Sequence, residues 1–302
     1  MEIESIPKRK IKTTYDGFYV FLLMLLPALV IYVIFFLLPV IGSFGYSFTN
    51  FNGINMNYKF VGLRNYRMMI TDPQFIQSLI NTFVFSILVI LIQNILGFLV
   101  AMLLHEKLKY GALYTALLFL PSLIPGVVVA YLWTYMYSMG GFFNTLLESV
   151  GLDQLVQPWL GQVNTAMYAV IIAHVWRFIG RASLLFTANL ATIPSSMKEA
   201  AMIDGAGWWR RLTHIILPMM APSFSVNVIT SFMGSLKVFD IIYGMTDGGP
   251  AGVTETLGTY IIKLVRQGYN GYAAAGSVLL VICILIVNRS LVFGFGQWEK
   301  RV

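Results

Sequence analysis

Residues able to do chemistry are sparse in this chain. His105, His174 and His214 stand far apart, and the single cysteine, Cys283, cannot bridge to another. No His or Cys grouping has metal-ligand spacing, so no metal site is expected. There is no Gly-x-x-x-x-Gly-Lys-Ser/Thr loop, and without one the chain is not expected to cradle and hydrolyse ATP. No nucleophile–base pair emerges, so no catalytic residues are assigned. What stands out is charge in apolar surroundings: Arg177 and Arg181 in one hydrophobic stretch, Lys237 and Asp240 in another. Ionisable groups are costly at bilayer depth and face a bundle interior or a watery cavity. Lys237 and Asp240, three apart, are predicted to share a helical face. They are either a structural pair locking a helix end or part of a polar wall. Asn227, Ser231 and Gly234 extend the same stripe, which either glues helices or lines a path.

The elements that must position these residues follow from composition. Hydrophobic residues make up 58% of 302 positions and charged residues 11%, with a mean hydropathy of +0.75. A soluble globule carries about 25% charge, so the chain reads as an all-α membrane protein. Charge-free stretches long enough to cross about 30 Å of hydrocarbon predict six helices, near 18–41, 80–104, 112–137, 166–190, 219–243 and 273–294. Residues 1–17 and 295–302 are expected as tails around one transmembrane domain, 18–294. The first apolar run is too long for a signal peptide and reads as a retained anchor. Pro27, Pro39, Pro121 and Pro125 mark possible kinks.

The net charge of +7 is a topology signal, not a nucleic-acid patch. With the N-terminus inside, inner segments hold Lys8, Arg9, Lys10, Lys12, Lys107, Lys109, Lys198, Arg210, Arg211, Arg289, Lys300 and Arg301. Outer segments hold Lys59, Arg64, Arg67, Lys263 and Arg266. That asymmetry predicts a multi-pass protein of the cytoplasmic membrane with both termini in the cytoplasm.

One inner segment, about 194–218, is long and specific. Ser196 and Glu199 have the spacing of a capping box, and Gly205 suits the left-handed residue that ends a helix. A short helix over about 197–204, then a second from Gly207 towards Pro218, would form a rigid elbow. Ala200 and Ala201 would admit a close neighbour, Trp208 and Trp209 suit the interface, and a structural role suits His214. By physics alone the elbow is a docking element or an interfacial amphipathic loop.

Glu199-Ala200-Ala201, Gly205, Ile215 and Leu217-Pro218 occur at the spacing of the EAA loop, which resembles the permease subunits of binding-protein-dependent ABC importers. Asp204 before Gly205-Ala206, Phe239-Asp240-Ile241-Ile242-Tyr243, Gly248-Gly249-Pro250 and Gly271-Tyr272-Ala273-Ala274-Ala275 are similar to the carbohydrate-uptake, MalF-like branch. Phe60-Val61-Gly62-Leu63-Arg64-Asn65-Tyr66 adds a weaker likeness. The resemblance implies a MetI-like, type I fold in which the EAA loop, with Glu199, Ala200, Ala201, Asp204, Gly205, Ala206, Ile215, Leu217 and Pro218, is a cytoplasmic coupling helix. It implies two ATPase subunits that bind ATP and Mg, a second and different permease subunit (or a second copy of this one), an extracytoplasmic solute-binding protein and a sugar. On that reading Arg177, Asn227, Ser231, Gly234, Lys237 and Asp240 are substrate-path candidates. Arg177 would meet a sugar hydroxyl or an acidic group, or else hydrogen-bond a neighbouring helix. Trp133, Tyr135, Tyr137 and Trp176 are candidate stacking faces. A permease for a non-sugar solute and an ion-coupled transporter are the alternatives; the second would use Asp240 as its one acidic site.

Overall fold

The computed structural model describes residues 16–55, 57–105 and 111–299. Lys8, Arg9, Lys10, Lys12, Lys107, Lys109, Lys300 and Arg301 lie outside them. Among the described residues the chain is helical, with one isolated antiparallel bridge, Thr49 to Phe60. In lipid this is the expected answer, because a helix satisfies its own backbone where no water can.

The first span is α1 (Asp16–Tyr32), a π-helical turn (Val33–Leu37) and α2 (Leu38–Tyr46). Pro27 sits inside α1 without ending it; Pro39 follows the π-helical turn directly, where its missing N–H leaves one carbonyl of that turn without its helical partner. From Phe18 to Tyr46 the most apolar window has no buried residue, so this span leans away from its own bundle. A short outer helix, α3 (Arg64–Thr71), leads into α4 (Pro73–His105), which packs along α8 (Ala166–Leu190) as the central pair. The last span is α15 (Asn270–Glu299), so most of the expected C-terminal tail is helix.

Two expected spans are not single rods. The third is α5 (Gly111–Phe119) with a 3-10 turn (Leu120–Leu123), then α6 (Gly126–Met136) at 99° to it. Pro125 ends the first piece, because the residue before a proline, here Ile124 at ψ 133°, is forced out of the helical region. A brief outer helix, α7 (Phe142–Ser149), follows. The fifth begins with α10 (Trp208–Arg211), a π-helical turn (Leu212–Ile216) and α11 (Leu217–Met219), bends by 64°, and continues as α12 (Ala221–Leu236). It stops at Leu236, short of the expected 243, and α13 (Asp240–Met245) starts in a new direction after Phe239 at φ −141°. Among the described residues four helices are therefore long enough to cross, or six if each bent pair is one span. Outside, α14 (Leu257–Arg266) lies beside α15. Its first turn carries a Thr256–Thr259 capping box.

Burial divides the bundle by depth. An outer core gathers Phe85 and Val89 of α4, Val129 and Trp133 of α6, Ile171 and Val175 of α8, and Ile241 and Ile242 of α13. An inner core gathers Phe98 and Ala101 of α4, Phe186 and Leu190 of α8, and Leu212, Ile216 and Met220. Between them, α4 carries Gln93 and Asn94, α8 carries Arg177 and Arg181, and α12 carries Asn227 and Ser231. Three helices thus turn polar at the same level.

Candidate functional site: an exposed elbow and a polar mid-bundle cavity

The elbow is built on α9 (Ser195–Ile203). The expected capping box does not form: Pro194 occupies the N-cap at φ −58° with no side-chain cap bond. That places Ser196 at the second helical position, two residues too far in to cap the backbone. The C-terminal half of the expectation is found. Gly205 adopts φ +73°, its N–H donates to Met202 O at 3.1 Å, and Ala206 N–H donates to Ala201 O at 2.9 Å. This paired closure leaves the αL residue where only glycine is unstrained.

Both ends of the elbow are bolted to the same inner core. Ile193, before α9, is 5% exposed, and Leu212 and Ile216, after α10, are 7% and 9% exposed. They pack with Phe186 and Leu190 of α8 and Phe98 of α4. Between the bolts α9 is open: Glu199, Ala200, Asp204 and Gly205 are exposed, Ala201 and Ala206 half-buried. Ile215, Leu217 and Pro218 are half-buried and form the root, not the tip. Apolar side chains are left bare, with Ile203 87% and Trp209 70% exposed. His214 touches only its neighbour, through Thr213 Oγ1 to Nδ1 at 2.8 Å.

The second site is a cavity of about 210 Å³ between the two cores. Arg177, Asn227, Ser231, Gly234, Lys237 and Asp240 all line it. Their pairing differs from expectation. Lys237 is the C-cap of α12 and Asp240 opens α13, so the two share no helical face and form no ion pair. Asp240 instead accepts from Arg177 Nη1 at 3.0 Å, and its other oxygen accepts from Ile241 N–H at 2.9 Å. Arg177 therefore does meet a neighbouring element. The pair fits only because Gly126, first residue of α6, lacks a side chain: a Cβ there would overlap the Asp240 carboxylate. Asn227 Nδ2 donates to Ala182 O at 3.3 Å, tying α12 to α8. Gln93 Nε2 donates to Ser231 Oγ at 2.9 Å, tying α4 to α12.

A scan of protein-family models matches residues 93–296 to the family described as binding-protein-dependent transport system inner membrane component. This chain belongs to that family. It is 35% identical over 264 residues to the trehalose/maltose transport system permease protein MalF of Thermococcus litoralis, covering 87% of this chain and 89% of that one. It is 34% identical over 282 residues to the sn-glycerol-3-phosphate transport system permease protein UgpA of Pectobacterium atrosepticum, covering 92% and 94%. A chain of a bacterial alginate ABC transporter, solved with an alginate pentasaccharide-bound periplasmic protein, superposes with a TM-score of 0.83 at 24% identity, covering 97% of this chain and 99% of that chain. The ABC permease fold expected from the EAA motif is thus the fold found. As a member of the family the chain is an inner-membrane transport component.

For a permease of this family several cavity residues were not singled out by sequence reasoning. Gln93, His174 and Phe178 line the same space. Gln93-Asn94, a polar pair in the middle of an apolar stretch, was the available signal. The aromatic candidates lie elsewhere: Trp133 and Tyr137 are in the outer core, each 5% exposed, and Tyr135 faces outward at 74%. The Gly248-Gly249-Pro250 motif closes a tight outer loop, in which Thr254 Oγ1 donates to Gly249 O at 2.6 Å and Asn81 of α4 holds Gly252 O and Glu255 O, each at 2.9 Å.

Proposed function

We propose that this permease is the transmembrane subunit of an ATP-driven importer of a carbohydrate or carbohydrate derivative. In this reading α9 docks into a cytoplasmic ATPase subunit, with Glu199, Ala200, Ala201, Asp204, Gly205 and Ala206 at the contact and Ile215, Leu217 and Pro218 at the root. The single observation that carries it is the elbow. A helix closed by an αL glycine, bare at its tip and anchored at both ends between α4 and α8, transmits displacement to the bundle instead of absorbing it. Nucleotide and Mg belong to the two ATPase subunits. The unburied first span supports a second permease subunit alongside this one, a different chain in the favoured form. An extracytoplasmic binding protein delivers the solute to the outer face, and both termini are cytoplasmic. The named substrates of the relatives, trehalose/maltose and sn-glycerol-3-phosphate among them, motivate the solute class.

Alternating access would act through the broken elements. α6 and α13 pack on each other and meet α8 at the Arg177–Asp240 pair, so a tilt of α8 and α12 driven from the elbow shifts the cavity's walls together. Ion coupling is disfavoured by the same pair, since the one carboxylate in the cavity lining is engaged by an arginine.

The test is co-purification from membranes followed by Glu199→Ala. A Walker-motif ATPase should accompany the permease, and the variant should lose solute uptake while the complex still assembles. Absence of any ATPase, with uptake intact in the variant, would refute the proposal. For orientation, Lys198→Cys should react with an impermeant thiol reagent only from the cytoplasmic side, and labelling from outside would invert the topology.

A further inference from the structure

We infer that the mid-bundle cavity is built for an anionic solute, a carbohydrate derivative bearing a carboxylate or a phosphate group. The inference deepens the permease reading and rests on it. Three permanent cations, Arg177, Arg181 and Lys237, line the cavity against one carboxylate, Asp240. That carboxylate is already engaged on both oxygens, by Arg177 and by Ile241 N–H. Arg181 and Lys237 carry no ion pair among the described residues. Two positive charges without an ion pair, both on exposed side chains, therefore line one open cleft between two apolar cores, where a counter-charge is attracted.

The neutral polar groups of the lining are partly engaged: Gln93 donates one N–H to Ser231 and Asn227 donates one to Ala182 O. The lining ring Phe178 has the Arg177 guanidinium 4.8 Å from its centroid, and Trp133 and Tyr137 are out of reach in the outer core. Two nitrogens beside the cavity have no partner. Arg177 Nε and His174 Nδ1 are buried without a hydrogen-bond partner, and His174, 6% exposed, lines the cavity. Guanidinium and ammonium groups bind carboxylate and phosphate oxygens through charge-assisted hydrogen bonds, roughly twice as strong as neutral ones.

The experiment uses the complete complex with its own binding protein in proteoliposomes and three probes: a galacturonate disaccharide, sn-glycerol 3-phosphate and uncharged maltose. ATP-dependent uptake of one of the two anions, in preference to maltose, is expected. Which anion enters separates the carboxylate from the phosphate form. Arg181→Gln and Lys237→Gln should each raise the half-saturating concentration for that anion roughly tenfold, with Arg181→Lys and Lys237→Arg retaining most of the affinity. Preference for maltose overturns the inference. So does failure of both anions to enter while loaded binding protein still stimulates ATP hydrolysis, or wild-type half-saturation in both Gln variants. A preparation lacking a co-purifying ATPase and ATP-dependent uptake of any probe fails earlier, at the permease reading itself.

Discussion

The Arg177–Asp240 pair makes an asymmetric prediction. Arg177's side chain is 13% exposed and Asp240's is 43%, so removing one partner strands two very different survivors. Asp240→Asn leaves the arginine buried, with its only strong acceptor gone and its Nε already unpartnered. Stranding a buried charge costs about 3–5 kcal/mol, and the partial opening to the cavity argues for the lower end, about 3. Arg177→Gln leaves a carboxylate that is half open to the cavity and still holds Ile241 N–H; hydration limits that loss to about 1 kcal/mol. The double variant strands neither charge and should lie well short of the sum, with a coupling of roughly 1–3 kcal/mol. In thermal unfolding of the purified complex, at about 2–4 °C per kcal/mol, Asp240→Asn should lower the midpoint by roughly 6–12 °C and Arg177→Gln by about 2–4 °C. Equal losses from the two single variants, or strict additivity in the double, would refute the claim that burial of the arginine decides the energetics.

Three further outcomes are expected. Gly126→Ala should mimic Asp240→Asn, because its Cβ meets Arg177 Nη1 at 2.6 Å as well as the carboxylate; a wild-type melting midpoint would show the pair is not confined there. A Cβ at Gly205 meets no atom within 4 Å, so the cost of Gly205→Val is chiefly the positive φ, at least about 1–2 kcal/mol. The bundle should stay folded while solute-stimulated ATP hydrolysis falls, and unchanged stimulation would contradict the lever. On the outer face Tyr260 donates to Asp72 Oδ2 at 2.5 Å, and burial followed by that hydrogen bond raises its hydroxyl pKa well above the usual phenol value. The folded state then holds this proton more tightly than the unfolded chain, so its contribution is complete below about pH 10 and is lost above it. Tyr260→Phe should melt earlier at neutral pH, by the loss of about 1.5–3 kcal/mol, yet show a shallower alkaline decline; parallel profiles would argue against it.

Much of this protein was open to linear reading, for a physical reason. Whether a segment enters lipid depends on its own apolar content, and each helix satisfies its own backbone, so the unbroken spans α4, α8 and α15 need no partner to be recognised. Gly205 was equally legible, because only its own φ is at stake. Ser196 misled because the capping-box spacing does not say where a helix starts; Pro194, with its fixed φ, did.

Other features were only partly legible. Pro125 marked a kink in 112–137, but neither it nor hydropathy gave the 99° turn, and nothing local showed that 219–243 stops at Leu236. The Lys237–Asp240 spacing implied a shared face only while that helix was assumed to continue. Once it ends, the partner of Asp240 is the arginine 63 residues earlier, admitted by a glycine on a third element. Residue types and their spacing thus determined that this chain is a bundle of lipid-embedded helices with a glycine-hinged elbow, each property being local. Tertiary packing alone decided how far the broken rods turn, which charges neutralise each other and which are left facing a common space, because those depend on elements far apart in the chain meeting at one depth.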